Sequence, residues 1–350
     1  MKQPLINITK SMLRHIAGTD EFKGSWQAAG SLPRERLNAL KRVATVESVG
    51  SSTRIEGAKL TDGEVENLLS GLEIRPLSSR DEQEVAGYAD AVNIICESYE
   101  AIPFTENYIR QLHKILLGHS SKDIRHRGEY KKIPNSIEVI LPDGRPRTVF
   151  ETTSPFDTPG EMKSLVEWTN SEFEKKELHP LLIIGIFAVH FLAIHPFQDG
   201  NGRLSRLLTT LLLLKSGYAY VPYSSLESVI EKNKEEYYLA LRKTQGTLRS
   251  ENADYEPWLE FFLLSLKIQA DLLAEKTARE RMAVSLPELS EQIIRLVKAH
   301  ERLAISDIEA MTGANRNTIK VRLRELVRDR YLEKHGRGKG TRYTVGTGAK

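Results

Sequence analysis

The sequence predicts an all-α protein with one small β-hairpin and, at its C-terminus, a separate module of three helices and two short strands. Three observations predict this. Apolar residues recur at helical spacing through most of the 350 residues. That spacing gives way to strand-like alternation around Pro142-Asp143-Gly144, a turn sequence. Past Ser285 the helices shorten, and the chain closes on two strand-like runs flanking a Gly- and Lys-rich turn.

Taken in order, Leu32-Pro33 opens a helix to about Val49 with a one-sided stripe at Leu37, Leu40, Val43, Ala44 and Val46. Helices follow over Glu82 to Glu100 and Tyr108 to Leu117. Ile137, Val139 and Ile140, then Arg147 to Phe150, form the hairpin strands. Helices return at Pro159–Glu174, Pro180–Ile194, Leu204–Leu214, Glu227–Gln245 and Tyr255–Glu280. Ser285–His300 is amphipathic, Ser306 starts the next helix with Glu309 at capping-box spacing, and Gly313 ends it. Asn315 caps a third helix to about Arg330. Strands at Tyr331–Lys334 and Thr341–Val345 flank the turn at 335–340 and complete a winged helix-turn-helix. The organisation expected is an N-terminal helical region over 1–102, a core over 103–264, a linker helix over 265–284 and the winged module over 285–350.

With 40% hydrophobic and 28% charged residues the chain is globular, not disordered. A net charge of +3 is too small to name a partner. Cys96 is the only cysteine, which excludes an intrachain disulfide framework and fits a reducing compartment. The N-terminus does not read as a secretory signal. The longest apolar stretch, Leu181 to Ile194, contains His190 and is shorter than the roughly 20 residues of a membrane span. The expectation is a cytoplasmic protein with no membrane partner.

The most specific string is His195 to Arg206, His-Pro-Phe-Gln-Asp-Gly-Asn-Gly-Arg-Leu-Ser-Arg. It falls between one helix and the next, where free amides and the positive helix end attract an anion. Gly200 and Gly202 let the backbone approach that anion, and Asn201 can add a side-chain donor. Arg203 and Arg206 are placed to reach phosphate oxygens, Asp199 offers hard oxygens for Mg²⁺, and His195 can act as a general base. Asp-Gly-Asn-Gly alone is merely a good turn, and a lone histidine at a helix end is usually structural. Two spaced arginines and the apolar Phe197 set the combination apart.

This string resembles the Fic family motif, His-x-Phe-x-Asp/Glu-Gly-Asn-Gly-Arg-x-x-Arg, at every defined position. The wider chain from Leu32 to Leu264 is similar to Fic proteins too, including Arg-Gly-Glu-Tyr at 127–130 and Tyr237-Tyr238. The resemblance implies a helical core that transfers AMP from ATP to a protein hydroxyl. His195 would deprotonate a Ser, Thr or Tyr of a target, Asp199 would hold Mg²⁺, and Gly200, Asn201, Gly202, Arg203 and Arg206 would cradle the phosphates. Phe197 would be a buried anchor. The hairpin is similar to the family's flap, which aligns a target by strand addition, so that Asn135 to Glu138, with Ser136 and Ile137 at the nucleotide, would lie over the site. Relatives often show Ile-Gly where this chain has Ile137-Glu138. Tyr238 and Gln245 fall where relatives contact the adenine; ordinary core packing is the open alternative.

Ser51 to Gly57 carries Ser52 and Glu56 one helical turn apart, with Gly57 suited to end a helix. Alone this is an ordinary helix end. Beside the motif it resembles the family's inhibitory pattern Ser/Thr-x-x-x-Glu-Gly/Asn, which implies that Glu56 pairs with Arg206 and displaces the nucleotide's γ-phosphate.

Between Asn315 and Tyr343 stand ten Lys or Arg against three acids. Arg316, Asn317 and Lys320 open the presumed recognition helix, and Arg337 and Lys339 lie on the wing, which fits double-stranded DNA. Protein docking or dimerisation is the competing use. The family resemblance and paired-site DNA modules both lean toward a homodimer. Two alternatives to an AMP transferase stay open: a nucleotide-sensing transcription regulator without turnover, and a Fic enzyme that removes AMP.

Overall fold

The computed structural model describes residues 4–28, 32–71, 76–140, 146–284, 287–336 and 338–346. It divides into two compact units, 1–272 and 273–350. In the first unit α1 (Lys10–Ala28), α2 (Arg34–Ile55), α3 (Asp62–Gly71), α4 (Arg80–Ser98) and α5 (Glu106–Leu116) precede the hairpin of β1 (Ser136–Ile140) and β2 (Pro146–Glu151). Then follow α6 (Thr158–Lys175), α7 (Pro180–Ile194), α8 (Asn201–Lys215), α9 (Leu226–Lys232), α10 (Lys234–Gln245) and α11 (Glu256–Val284), the last running on into the second unit.

The core is built around α7. Thirteen of its fifteen residues are buried, including Phe187, Phe191 and Ile194, so it is apolar on every side and not on one stripe. Helices α6 and α8 pack on it, and Trp258 of α11 donates its indole N–H to Gly185 O at 2.7 Å. No helix among the described residues is long and apolar enough to cross a membrane.

Several elements differ from expectation. Helix α2 runs past Val49 to Ile55 because Thr53 bonds back to Val49 O at 3.0 Å and Arg54 is held by Glu231 at 2.6 Å. The helix predicted over 227–245 is two, because Asn233 turns its amide onto Val229 O at 2.8 Å and breaks the ladder between α9 and α10. Helix α8 starts at Asn201 and not at Leu204, with Leu204 N–H already bonded to Gly200 O at 2.9 Å. The sequence pattern predicts neither α1 nor α3. Asp20 docks α1 by accepting from Tyr218 at 2.7 Å and pairing with His179 at 2.9 Å.

The hairpin forms as expected, antiparallel with Ile137 opposite Phe150 and a bulge between Ile137 and Glu138. Its Pro142-Asp143-Gly144 turn lies outside the described residues, as does Arg337.

The second unit holds α12 (Glu288–His300), β3 (Arg302–Leu303), α13 (Ile305–Thr312), α14 (Arg316–Arg328), β4 (Leu332–His335) and β5 (Arg342–Val345) around a core that includes Ile293, Ile308, Leu323 and Tyr343. Three antiparallel strands in the order β3-β5-β4 replace the two expected. The start of α13 also differs. Asp307, not Glu309, reaches back to accept from Ala304 N–H at 2.8 Å, while Glu309 pairs with Arg316 at 2.7 Å. Gly313 (φ 66°) ends α13, and Asn315 caps α14 by accepting from Asn317 N–H at 2.9 Å, as expected.

Candidate active site

The loop between α7 and α8 brings most of the motif together. His195 caps α7 in the left-handed conformation (φ 52°, ψ 59°), unusual for a residue with a side chain. Holding it there costs on the order of 1–3 kcal/mol. Neighbouring bonds offset that strain. Ile194 O accepts from Lys131 Nζ at 3.0 Å, Pro196 O from Lys131 N–H at 2.8 Å, and Phe197 O from Asn135 Nδ2 at 2.9 Å. At about 1 kcal/mol each, and more for the ammonium, these outweigh the twist.

The His195 ring lies near Leu192 O, with Nδ1 at 3.4 Å. That contact favours the tautomer protonated on Nδ1 and leaves the Nε2 lone pair free to take a proton. Burial, with the nearby Lys131 charge, lowers the His195 pKa to about 4, so the ring is neutral at physiological pH.

The loop rests on residues that the sequence pattern did not reveal. Phe197 is fully buried and stacks on His113, with ring centroids 3.8 Å apart. His113 Nδ1 accepts from Gly128 N–H at 2.8 Å, which fixes its proton on Nε2 and lets that atom donate to Asp199 O at 3.0 Å. Burial lowers the His113 pKa to about 4, so it is a neutral strut. Asn201 was read as a donor to an anion. Its side chain is instead 1% exposed and closed on Phe197, accepting from the N–H at 2.9 Å and donating to the C=O at 2.7 Å. Only its backbone amide, at the start of α8, remains for a ligand.

Three carboxylates hold the two arginines, of which Arg203 lies in the first turn of α8 and Arg206 in the second. Arg203 is 2% exposed, pairs with Glu84 of α4 at 3.1 Å and reaches Asp199 at 3.2 Å. Asp199 also faces Arg80 at 3.2 Å and accepts from Gly200 N–H at 2.6 Å. Burial opposes its charge, but Arg203, the Gly200 amide and Arg80 win, and its pKa falls below the usual carboxylate value. Arg206 donates Nε to Ser52 Oγ at 2.8 Å, and Nη2 to Ser52 O at 2.9 Å and Glu56 Oε1 at 2.8 Å. Ser52 O is free for it because Glu56 N–H turns to Thr53 O, so Arg206 caps the negative end of α2. Burial works against the Arg206 charge, yet Glu56, Tyr237 and Tyr88 raise its pKa overall.

The Glu56 carboxylate also lies against the first turn of α8. A methyl group on Gly202 would collide with Glu56 Oε1. Glycine there permits the close approach of an anion, and the anion present is this side chain. Gly200, at φ 79°, supplies the left-handed N-cap.

Of the other candidates, Tyr238 joins this corner, its hydroxyl 3.4 Å from Ile55 O. Gln245 is 3% exposed at the end of α10, with its Nε2 unpartnered. Ser136 begins β1 opposite Glu151 and Ile137 follows. Among the described residues no group of three or more His, Cys, Asp or Glu is arranged to hold a metal. Asp199 offers hard oxygens beside the start of α8, which suit Mg²⁺ only if phosphates and water complete its shell.

Residues 103–213 match the Fic/DOC family model. Residues 274–342 match a second model, described as a bacterial protein of unknown function. The chain is 26% identical over 290 residues to "Protein adenylyltransferase Fic" of Drosophila willistoni, covering 81% of this chain and 53% of that one. It is 27% identical over 289 residues to the Drosophila melanogaster protein of that name, covering 81% and 51%. It thus spans about half the length of these curated relatives. Among solved structures, a Fic family protein from Desulfovibrio desulfuricans shares the fold at TM-score 0.62 and 24% identity, covering 99% and 98% of the two chains. A Fic-domain signalling protein from Bacteroides thetaiotaomicron aligns at TM-score 0.58 and 26% identity, covering 75% and 95%.

Proposed function

We propose that this chain is a self-inhibited protein adenylyltransferase that moves AMP from ATP to a hydroxyl of a target protein or of itself. The observation that carries this reading is the Arg206–Glu56 pair over the α8 N-terminus, where a carboxylate stands on a phosphate cradle. ATP phosphates would lie on the amides of Gly200 to Arg203 and on Arg206, with Tyr238, Gln245, Ser136 and Ile137 bordering the nucleotide. Neutral His195 would take the proton of the target hydroxyl through Nε2 as its oxygen attacks the α-phosphorus and diphosphate leaves. Asp199 would hold Mg²⁺ on the phosphates, and the ion would supply charge neutralisation for the leaving diphosphate. Glu56 then acts as a brake, since Arg206 cannot bind it and a γ-phosphate in the same geometry.

The test is incubation of Glu56→Gly with α-labelled and γ-labelled ATP in separate reactions. Protein-bound label from the α position only is expected, and none in Glu56→Gly/His195→Ala. Label from neither position overturns the reading, and label from γ alone replaces it with phosphotransfer.

For the C-terminal unit we propose a winged helix-turn-helix that binds double-stranded DNA. In α14, Ile319, Leu323 and Leu326 are buried while Arg316, Asn317 and Lys320 are exposed at its first turns. Such a face suits a major groove, with Lys339 of the wing at the backbone. Duplex binding that weakens steeply with salt is expected; no binding at low salt rejects it.

A further inference from the structure

The hairpin and the His195 loop share one buried hydrogen-bonded knot. Lys131 is 3% exposed, and its ammonium finds three acceptors: Asn135 Oδ1 at 2.8 Å, Thr152 Oγ1 at 2.8 Å and Ile194 O at 3.0 Å. The Thr152 hydroxyl in turn faces Asn135, 2.7 Å from its C=O and 2.6 Å from its Oδ1. Asn135 Nδ2 donates to Phe197 O at 2.9 Å and, more loosely, to His195 O at 3.4 Å. Together with Lys131 N–H on Pro196 O at 2.8 Å, two residues serve four consecutive carbonyls, 194 to 197. Within the loop Asn201 Nδ2 also serves Phe197 O, but Pro196 has no N–H and the turn at His195 ends the α7 ladder.

The knot's other members mark the two feet of the hairpin. Asn135 immediately precedes β1 and Thr152 immediately follows β2. No carboxylate among the described residues is bonded to Lys131, and burial, opposed by the nearby Glu161 charge, lowers its pKa to about 8. An ion-pair staple would not look like this; a buried lysine spent on three neutral oxygens fixes their positions.

We propose that Lys131, Asn135 and Thr152 are positioning residues that hold the His195 backbone and the feet of the hairpin in one geometry, so that a target laid on the hairpin meets the His195 ring. None of them reaches the phosphate cradle, whose amides and arginines are set by α8, Glu84 and α2. The knot therefore governs turnover more than nucleotide affinity, which it touches only through Ser136 and Ile137 at the hairpin foot. This inference rests on the AMP-transfer reading above.

The test uses the full chain in the Glu56→Gly background. Thr152→Val removes the hydroxyl at nearly constant volume, Thr152→Ser restores it, and Lys131→Met removes the ammonium. We expect Thr152→Val and Lys131→Met to lower kcat for AMP transfer about tenfold or more, because small misplacements of a base are costly. KM for ATP should stay within about twofold, since cradle contacts are untouched. Thr152→Ser should recover most of kcat. An unchanged kcat in Thr152→Val, a matching rise of KM, or a serine variant as slow as the valine one overturns the inference. Should Lys131→Met fail to fold, the Thr152 pair decides alone. Should the Glu56→Gly parent transfer no AMP, the function reading fails while the knot remains testable. The His195 ring resonance, assigned by its loss in His195→Ala, is then expected to move in Thr152→Val and return in Thr152→Ser. No movement overturns the knot.

Discussion

Arg203 and Arg206 on α8 and Arg316 and Lys320 on α14 present the same chemistry at opposite extremes of burial. The first pair is 2% and 4% exposed and each guanidinium is already matched by a carboxylate. The second pair stands in solvent, with Arg316 alone tied to Glu309 at half-exposed range. A buried arginine with a resident counter-ion cannot simply attract a ligand; in the proposed function a phosphate would replace the carboxylate, which would make the site a switch. Exposed basic groups exchange one set of counter-ions for another at little cost, and so give graded, salt-dependent attraction.

The largest effect that can break this comparison is on chemistry. In the Glu56→Gly background, Arg206→Ala should reduce AMP transfer by about 10²–10³, as loss of a preorganised charge contact does, while Arg316→Ala should leave it unchanged. Steady-state rates on intact protein decide; an equal loss in both would erase the distinction between the two pairs.

Next in size is acid sensitivity, which sharpens the contrast because burial is its cause. His113, His190 and His195 are each held at about 4, below the ordinary 6.5, by desolvation. Their lowered folded values make the neutral form part of the native state. That stability is present above pH 6.5 and is lost as pH falls toward 4, at most on the order of 3 kcal/mol per residue. Thermal melts across pH 7 to 4 should show a falling Tm, with a shallower fall in His190→Gln. A flat profile contradicts the buried, neutral assignment.

Smaller still is the stability of the proposed brake. Glu56 is 32% exposed, so removing it leaves Arg206 partly served by Ser52 and water. A loss of about 1–2 kcal/mol, or a few degrees in Tm, is expected for Glu56→Gly without nucleotide. ATP should raise the Tm of Glu56→Gly more than that of the wild type, because the phosphate takes the vacated position. Equal shifts would show that carboxylate and phosphate do not compete.

The smallest effect lies on α14. Lys320→Ala should weaken duplex binding by about 1 kcal/mol and flatten the salt dependence by roughly one phosphate contact. Titrations at several salt concentrations measure both.

Sequence pattern revealed what is local and missed what is assembled. The helix–loop–helix around His195, the Ser52–Glu56 face, the anchor Phe197 and the hairpin were legible, because periodicity and turn residues act within a few positions. Arg80, Glu84, His113 and Lys131 were not, since each reaches the loop from 60 or more residues away and nothing in its own neighbourhood marks it. The role first read for the Asn201 side chain failed for a related reason. An amide beside a turn can serve an anion or the backbone, and only the fold shows Phe197 within its reach. Helix α1 was missed because its docking face mixes Met12, Ile16, Phe22 and Trp26 with the polar Asp20, which bonds to Tyr218 and His179.

The proposed rivalry between the Glu56 side chain and an incoming triphosphate for one guanidinium is measured most directly by intact-mass spectrometry of wild type and Glu56→Gly after incubation with Mg²⁺ and ATP. The account predicts that Glu56→Gly gains the mass of AMP, alone or on an added acceptor, much faster than wild type, and that Arg206→Ala cancels the gain. Equal rates in wild type and Glu56→Gly, or a gain that survives Arg206→Ala undiminished, would contradict it.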